Sequence, residues 1–483
     1  MRPLAAVLML SVLCACSQAT PGPDAAADAD VRGFEILLPG DAAADAAVTD
    51  AAGGVADGLD AEAAQPGDGS GDAGLDDVAP PDASPDAAVK DTQQPDDDAL
   101  PDESPEQTGD TPAQELPQPD SVLPPPIDPS AWGPYEVGTF GYNFFDWDRL
   151  RSVPTTVWYP AKPSGQTKAT YLALIPGNAY TNAPPDTSAA PYPAVLFSHG
   201  FKGVAAQSIT FTEHIASHGY VVIAMDHSGN TLTDFFATDE STAQVALDRP
   251  VDVRFAFEQV MAKSMAPDGG YMKGMVDPDR VAVTGHSFGG YTALMVAGGA
   301  VNVSDAQAAC AAGTPADIFC DYVGYWPAGE VVTLSPSISG LKAAFTLAPG
   351  GSAAFGPTGL ESVTVPAVVM GGTLDDTTPV DVETNPIFDG LPLPKGRGII
   401  TNASHMSFTN VCDLPLAKQF LSDYCGVEGM IGPEEAFAIA NGLAVSFLNF
   451  YVKGMSEYGP MLTEDTVAQK YPQLDWTWVE TEP

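Results

Sequence analysis

The chain has 483 residues, more than a single hydrophobic core usually organises, so more than one segment is expected. Its 63 acidic and 19 basic residues give a formal charge of −44, and no basic stripe exists to neutralise phosphates, which excludes nucleic acid as a partner. More than half of that charge falls between Ser17 and Pro129, so the remainder is far less acidic than the total implies.

At the start, Arg2 precedes the apolar run Leu4 to Leu13, too short to cross a bilayer as a permanent helix and suited to an export signal. The run closes in Leu13-Cys14-Ala15-Cys16, which resembles the bacterial lipobox. That resemblance implies that residues 1–16 are a lipoprotein-type signal peptide whose Cys16 is lipidated and becomes the mature N-terminus. The protein is then exported and held at the cell envelope, at the outer membrane or cell surface. Ordinary cleavage after Ala19, giving a freely secreted protein, is the alternative. Residues 17–129 are Ala, Asp, Pro and Gly with Arg32 and Lys90 as the only bases, a composition that cannot bury enough apolar surface to offset chain entropy. They are expected to form a disordered acidic linker, about 110 residues reaching roughly 60 Å. Phe34-Glu-Ile-Leu-Leu38 reads as a stray apolar patch within it.

Residues 130–483 alternate strand-like and helix-like stretches, which predicts an α/β fold with a mostly parallel central sheet and helices on both faces. Tyr135–Phe145 and Thr155–Tyr159 read as opening strands at an antiparallel edge, and Tyr171–Pro191 as a loop. Ala194–Ser198 is a buried strand ending at His199-Gly-Phe-Lys-Gly203. Ile209–His218 reads as a helix and Tyr220–Met225 as the next strand. Asp226, His227 and His218 near it lack metal-ligand spacing and read as strand-end residues bonded to loops. A helix is expected from Pro250, a residue at home in a first turn, to Ser264. The charges Asp248, Arg249, Asp252 and Arg254 at its start read as solvated or structural.

Asp277-Pro-Asp-Arg280 reads as a turn, followed by Val281-Ala-Val-Thr-Gly-His-Ser-Phe-Gly-Gly290, a strand running into a glycine-flanked serine and then a helix through Tyr291–Ala297. A serine at such an elbow is held in strained backbone geometry that lifts its hydroxyl above the sheet edge. Gly285 and Gly289 remove side chains that would collide there, and Gly290 lets helix and strand approach. The Phe288 N–H lies at the helix's positive pole, and the segment after Ser198 offers a second donor, the backbone N–H of Phe201. Together these would hold an oxyanion.

Residues 301–340 lack steady periodicity and are expected to form a lid-like or wall insertion. Leu341–Leu347, Pro366–Gly371 and Gly396–Thr401 read as further strands, the last being the final one. Pro433–Lys453 is an amphipathic closing helix, followed by a tail containing Pro and Trp. An exported chain meets oxidising conditions, so Cys310, Cys320, Cys412 and Cys425 are expected in disulfides. Of three pairings, proximity favours Cys310 with Cys320 and Cys412 with Cys425.

In doubly wound hydrolases the order is Ser, acid, His, each beyond a strand end. Of the six histidines only His405 lies downstream of Ser287. Between them Met370–Pro379 offers Asp375 and Asp376; Asp375 fits a Gly-x-x-Asp-x-x-x-Pro spacing from Gly372 to Pro379, leaving Asp376 as a turn or capping residue. Asp381, Glu383 and Asp389 read as surface charges. The blocks Phe197-Ser-His-Gly-Phe201, Ile215–Val222, Gly285-His-Ser-Phe-Gly-Gly290, Gly372–Pro379 and Ala403-Ser-His405 resemble the α/β-hydrolase superfamily, in the branch of dienelactone hydrolases and platelet-activating-factor acetylhydrolase-like esterases. The resemblance covers Tyr135 to Lys453. It implies Ser287 as nucleophile, Asp375 and His405 as its partners, and Phe201 with Phe288 as oxyanion donors. The expected function is cofactor-independent, metal-free hydrolysis of a small or lipid-like carboxylic ester. A lipase or cutinase-like polyesterase is the nearest alternative, and a catalytically silent surface binding module the alternative from another class.

Overall fold

The computed structural model describes residues 127–313, 317–414 and 417–481. The expected signal peptide with Cys16, the acidic linker up to residue 126 and the Phe34–Leu38 patch lie outside the described residues. Eleven strands form one sheet: β1 (Glu136–Asp146), β2 (Arg151–Ala161), β3 (Lys168–Tyr171), β4 (Ile175–Thr181), β5 (Tyr192–Ser198), β6 (Val221–Met225), β7 (Val276–His286), β10 (Leu341–Leu347), β11 (Ala367–Gly372), β12 (Lys395–Ile400) and β13 (Leu474–Val479). Between β7 and β10 the chain adds a two-stranded sheet of β8 (Ala300–Asn302) and β9 (Val331–Thr333). The large sheet runs β13-β12-β11-β10-β7-β5-β6-β2-β1-β4-β3. Six neighbours, β12 to β6 in that order, are parallel, and β2 and β13 flank them antiparallel.

The parallel strands are buried on both faces because their apolar side chains alternate between two cores. On β5, Ala194 and Leu196 enter one core while Val195 and Phe197 enter the other. On β11, Ala367 and Val369 oppose Val368 and Met370 in the same way. Each such Val, Leu or Phe contributes about 1.5–3 kcal/mol through burial. Five helices among the described residues reach nine residues: α1 (Ile209–Ser217), α2 (Asp239–Met265), α3 (Phe288–Val296), α4 (Val303–Ala311) and α5 (Pro433–Tyr451). α1 and α5 cover one face of the sheet, and α2, α3 and α4 the other. The chain leaves β5 towards β6 and then returns to β7 on its other side, so the C-terminal ends of β5 and β7 flank a topological switch point. Ligands of open α/β sheets sit at that kind of crevice.

Several expectations need correction. Tyr171–Pro191 is not all loop, because β4 occupies Ile175–Thr181 with Ile175 and Ala179 buried. Pro176 stands near the strand's start, ahead of the residues that pair with β1, and the Glu213 carboxylate on α1 accepts the Asn178 and Ala179 amides in place of a ladder partner. α2 begins eleven residues before Pro250. Thr238 and Ser241 cap it reciprocally, and Asp239 and Glu240 favour its positive end, so Pro250 lies inside the helix. Of the charges expected to be solvated or structural, Arg249 and Asp252 are fully buried, which is the structural alternative. β7 includes Asp277–Arg280 as a bulge, its register with β5 jumping from Pro193↔Asp277 to Ala194↔Val281. The tail supplies β13, so β12 is not the final strand. Trp476 and Trp478 lie over Gly396 of β12, where an added Cβ would come within 2.7 Å of the Trp476 ring. Glu383 is buried, its Oε2 accepting the Ser352 N–H at 2.9 Å. The insertion contains α4 and the β8–β9 pair, with Phe319 packed on Tyr291 of α3.

Candidate active site

Ser287 joins β7 to α3 with φ +57° and ψ −120°, a left-handed backbone that costs a non-glycine residue on the order of 1–3 kcal/mol. Its neighbours make that geometry possible. A Cβ on Gly289 would lie 1.9 Å from the Ser198 carbonyl oxygen, and one on Gly285 2.2 Å from the Gly289 carbonyl oxygen. Gly290 meets Pro349, after β10, rather than its own strand. The Ser287 N–H is bonded to the Leu347 carbonyl at 2.9 Å, which ties the elbow to β10.

Asp375 follows β11 and His405 follows β12. His405 Nδ1 lies 2.9 Å from Asp375 Oδ2. The carboxylate also accepts the Thr377 N–H at 2.9 Å, the Thr378 N–H at 2.8 Å and the Thr378 hydroxyl at 2.8 Å. Burial alone would raise the Asp375 pKa, but the His405 charge and these hydrogen bonds outweigh it and hold the group below its ordinary 3.8. Asp376 is exposed. With Nδ1 committed to Asp375, Nε2 is the ring nitrogen left for chemistry.

Ser287 and His405 line the same cavity of about 320 Å³, together with Gly200, Phe201, Phe288 and Phe319. Among the described residues no hydrogen bond joins the Ser287 hydroxyl to His405; such contacts are often long in unliganded sites and tighten around substrate. The Phe201 and Phe288 N–H groups have no acceptor among the described residues, whereas Gly200 donates to Gln207 Oε1 at 3.0 Å. His199 is no base: Nδ1 faces the Gly200 carbonyl and Nε2 accepts the His227 N–H.

Both expected disulfides are formed, Cys310–Cys320 and Cys412–Cys425. Each ties a loop that walls the cavity, the first through Ile318 and Phe319 and the second through Leu421 and Tyr424. No group of three His, Cys, Asp or Glu residues converges as a metal site among the described residues. Asp226 instead accepts the Ala205 N–H, and His218 Nε2 contacts the Ala131 carbonyl.

Sequence reasoning passed over His286. It is buried in the wall of the cavity, its Nδ1 accepting from Gln207 Nε2 at 2.9 Å and its Nε2 donating to the His405 carbonyl at 2.9 Å. Burial and the neighbouring His405 lower its pKa to about 3, so it stays neutral. Gln207 thus joins the Gly200 turn to the His405 loop through one imidazole. The only signal for His286 in sequence is its place inside the elbow motif, between Gly285 and Ser287.

A parallel sheet with this elbow at its switch point, and a buried Asp–His pair beyond two later strands, defines an α/β-hydrolase. A family model described as Chlorophyllase matches residues 175–467, and the chain belongs to that family. Cutinase est1 of Thermobifida alba is 22% identical over 218 residues, covering 45% of this chain and 54% of the relative. Cutinase 1 of Thermobifida cellulosilytica is 26% identical over 201 residues, covering 42% and 55%. Platelet-activating factor acetylhydrolase of Canis lupus familiaris is 27% identical over 138 residues, covering 21% and 31%. The chain spans about half the length of the cutinases it matches.

Proposed function

We propose that this chain is a serine carboxylic-ester hydrolase acting through Ser287, His405 and Asp375. The observation that carries the reading is the buried Asp375–His405 contact at 2.9 Å, with His405 lining the same cavity as the elbow serine. In this mechanism His405 Nε2 takes the Ser287 proton as the hydroxyl oxygen attacks the ester carbonyl. The oxyanion is held by the Phe201 and Phe288 N–H groups. His405 then gives its proton to the leaving alcohol, and water releases the acyl group from Ser287 by the same route. Asp375 orients the ring and stabilises its cation. The likeness to cutinases and to an acetylhydrolase supports an ester substrate. Ser287→Ala should lower kcat on a short p-nitrophenyl ester by about a thousandfold or more.

The cutinase relatives favour a second reading, a lipase or polyesterase with an extended cleft. Activity that rises with acyl length or on insoluble polymer selects it; activity confined to short soluble esters selects the small-ester enzyme. A fluorophosphonate probe that fails to label Ser287 would favour the silent binding module instead.

The proposal also places the enzyme at the cell envelope, tethered through lipidated Cys16, a reading supported by the Leu13–Cys16 motif. Cys16→Ser should move the protein from the membrane fraction to the soluble one, and an unchanged distribution would count against the anchor.

A further inference from the structure

The two oxyanion donors belong to different elements, Phe201 to the turn after β5 and Phe288 to the first turn of α3. Something must fix their separation. Arg249, fully buried on α2, reaches both. Towards α3, its Nε donates to the Thr292 hydroxyl at 3.0 Å, that hydroxyl donates to the Phe288 carbonyl at 2.9 Å, and the guanidinium lies 4.4 Å from the Phe288 ring centroid. Towards the turn, Nη2 donates to the Ser198 hydroxyl at 3.2 Å and to the His199 carbonyl. Nη1 donates to Asn230 Oδ1 at 3.0 Å, and the same oxygen accepts the Lys202 N–H at 3.1 Å. Residues on both sides of Phe201 are therefore held, directly or through Asn230, by one rigid fork.

The charge is as informative as the geometry. Every acceptor of the guanidinium is neutral. The nearby carboxylate of Asp252 is bonded to Arg149, Arg151 and His227 instead. Burying a cation without a directly bonded anion is costly, and this one is bonded to the carbonyl two residues before Phe201 and lies against the Phe288 ring.

We propose that Arg249 is a positioning residue of the oxyanion hole: its fork sets the spacing of the Phe201 and Phe288 donors, and its charge favours the anionic transition state over the neutral ester. The inference rests on the hydrolase reading above. Its effect belongs to the tetrahedral state, so it should appear in kcat and not in ground-state binding.

The test compares full-length parent, Ser287→Ala, Arg249→Met and Thr292→Val with a short p-nitrophenyl ester and a matched pair of inhibitors. One inhibitor is a trifluoromethyl ketone, which takes up the serine oxygen as an anionic hemiketal; the other is the corresponding methyl ketone, which binds as a neutral carbonyl. In Arg249→Met, kcat should fall about a hundredfold with KM within about twofold of the parent's. Binding of the trifluoromethyl ketone should weaken in step while that of the methyl ketone holds. Thr292→Val, which keeps α3 intact, should show a smaller loss with the same split, and it decides the matter should Arg249→Met not fold. Parental kcat in the variant that decides, or equal weakening of both ketones, overturns the proposal. Loss of activity in Ser287→Ala beside an unaffected Arg249→Met sinks this inference alone, whereas unaffected Ser287→Ala sinks the hydrolase reading beneath it.

Discussion

The Ser287 backbone is held at φ +57° by its surroundings, since Gly285 and Gly289 leave no room for any other packing and the Leu347 carbonyl fixes the amide. His286, one residue earlier, exemplifies a side chain whose worth depends on staying uncharged. Protonation would place an N–H against the Gln207 amide donor and break the link to the Gly200 turn. An unfolded imidazole takes up its proton near pH 6.5, the folded one only near 3. Acidification from about 6.5 towards 3 therefore favours the unfolded chain, by up to about 1.4 kcal/mol per pH unit from this group. His286→Asn should destabilise the protein at pH 7.5, and the gap from the parent should narrow at pH 5. Urea melts at both values check this; a gap constant with pH would mean that His286 carries no such linkage.

Among the elements, the parallel strands were the most legible in sequence. Ala194–Ser198 and Pro366–Gly371 are short apolar runs between turn signals, and burial on both faces leaves such a run little other fate. Legibility failed where long-range contacts replace a local signal. β4 depends on a carboxylate from α1, β13 on glycines in β12, and α2 on a Thr-Ser cap that lacks the usual Glu or Gln. Pro250 misled because a first-turn preference says nothing about a proline accommodated deep in a packed helix. The Cys412–Cys425 disulfide, closing a loop of sequence separation 13, makes a prediction at this scale. Replacing both cysteines by Ser should lower the unfolding free energy by about 2–4 kcal/mol. KM should rise by about a few fold as the Leu421 and Tyr424 wall loosens. Unchanged melting and unchanged KM would show that the loop is held by other contacts.

For the whole molecule, three loops spread over more than a hundred residues of chain, from Ser287 to His405, follow strands that end at one edge of the sheet. The order Ser, acid, His made Ser287, Asp375 and His405 legible from spacing and elimination, and the structure brings the last two into contact. The supporting residues were not legible. Arg249, Gln207 and Thr378 are ordinary polar residues in sequence, and only the fold gives them partners. Whether the assembly hydrolyses esters is tested most directly by the rate of p-nitrophenol release from a short ester by full-length parent and Ser287→Ala protein side by side. The account predicts a kcat lower by about a thousandfold or more in the variant. A variant that releases p-nitrophenol at the parental rate would contradict it.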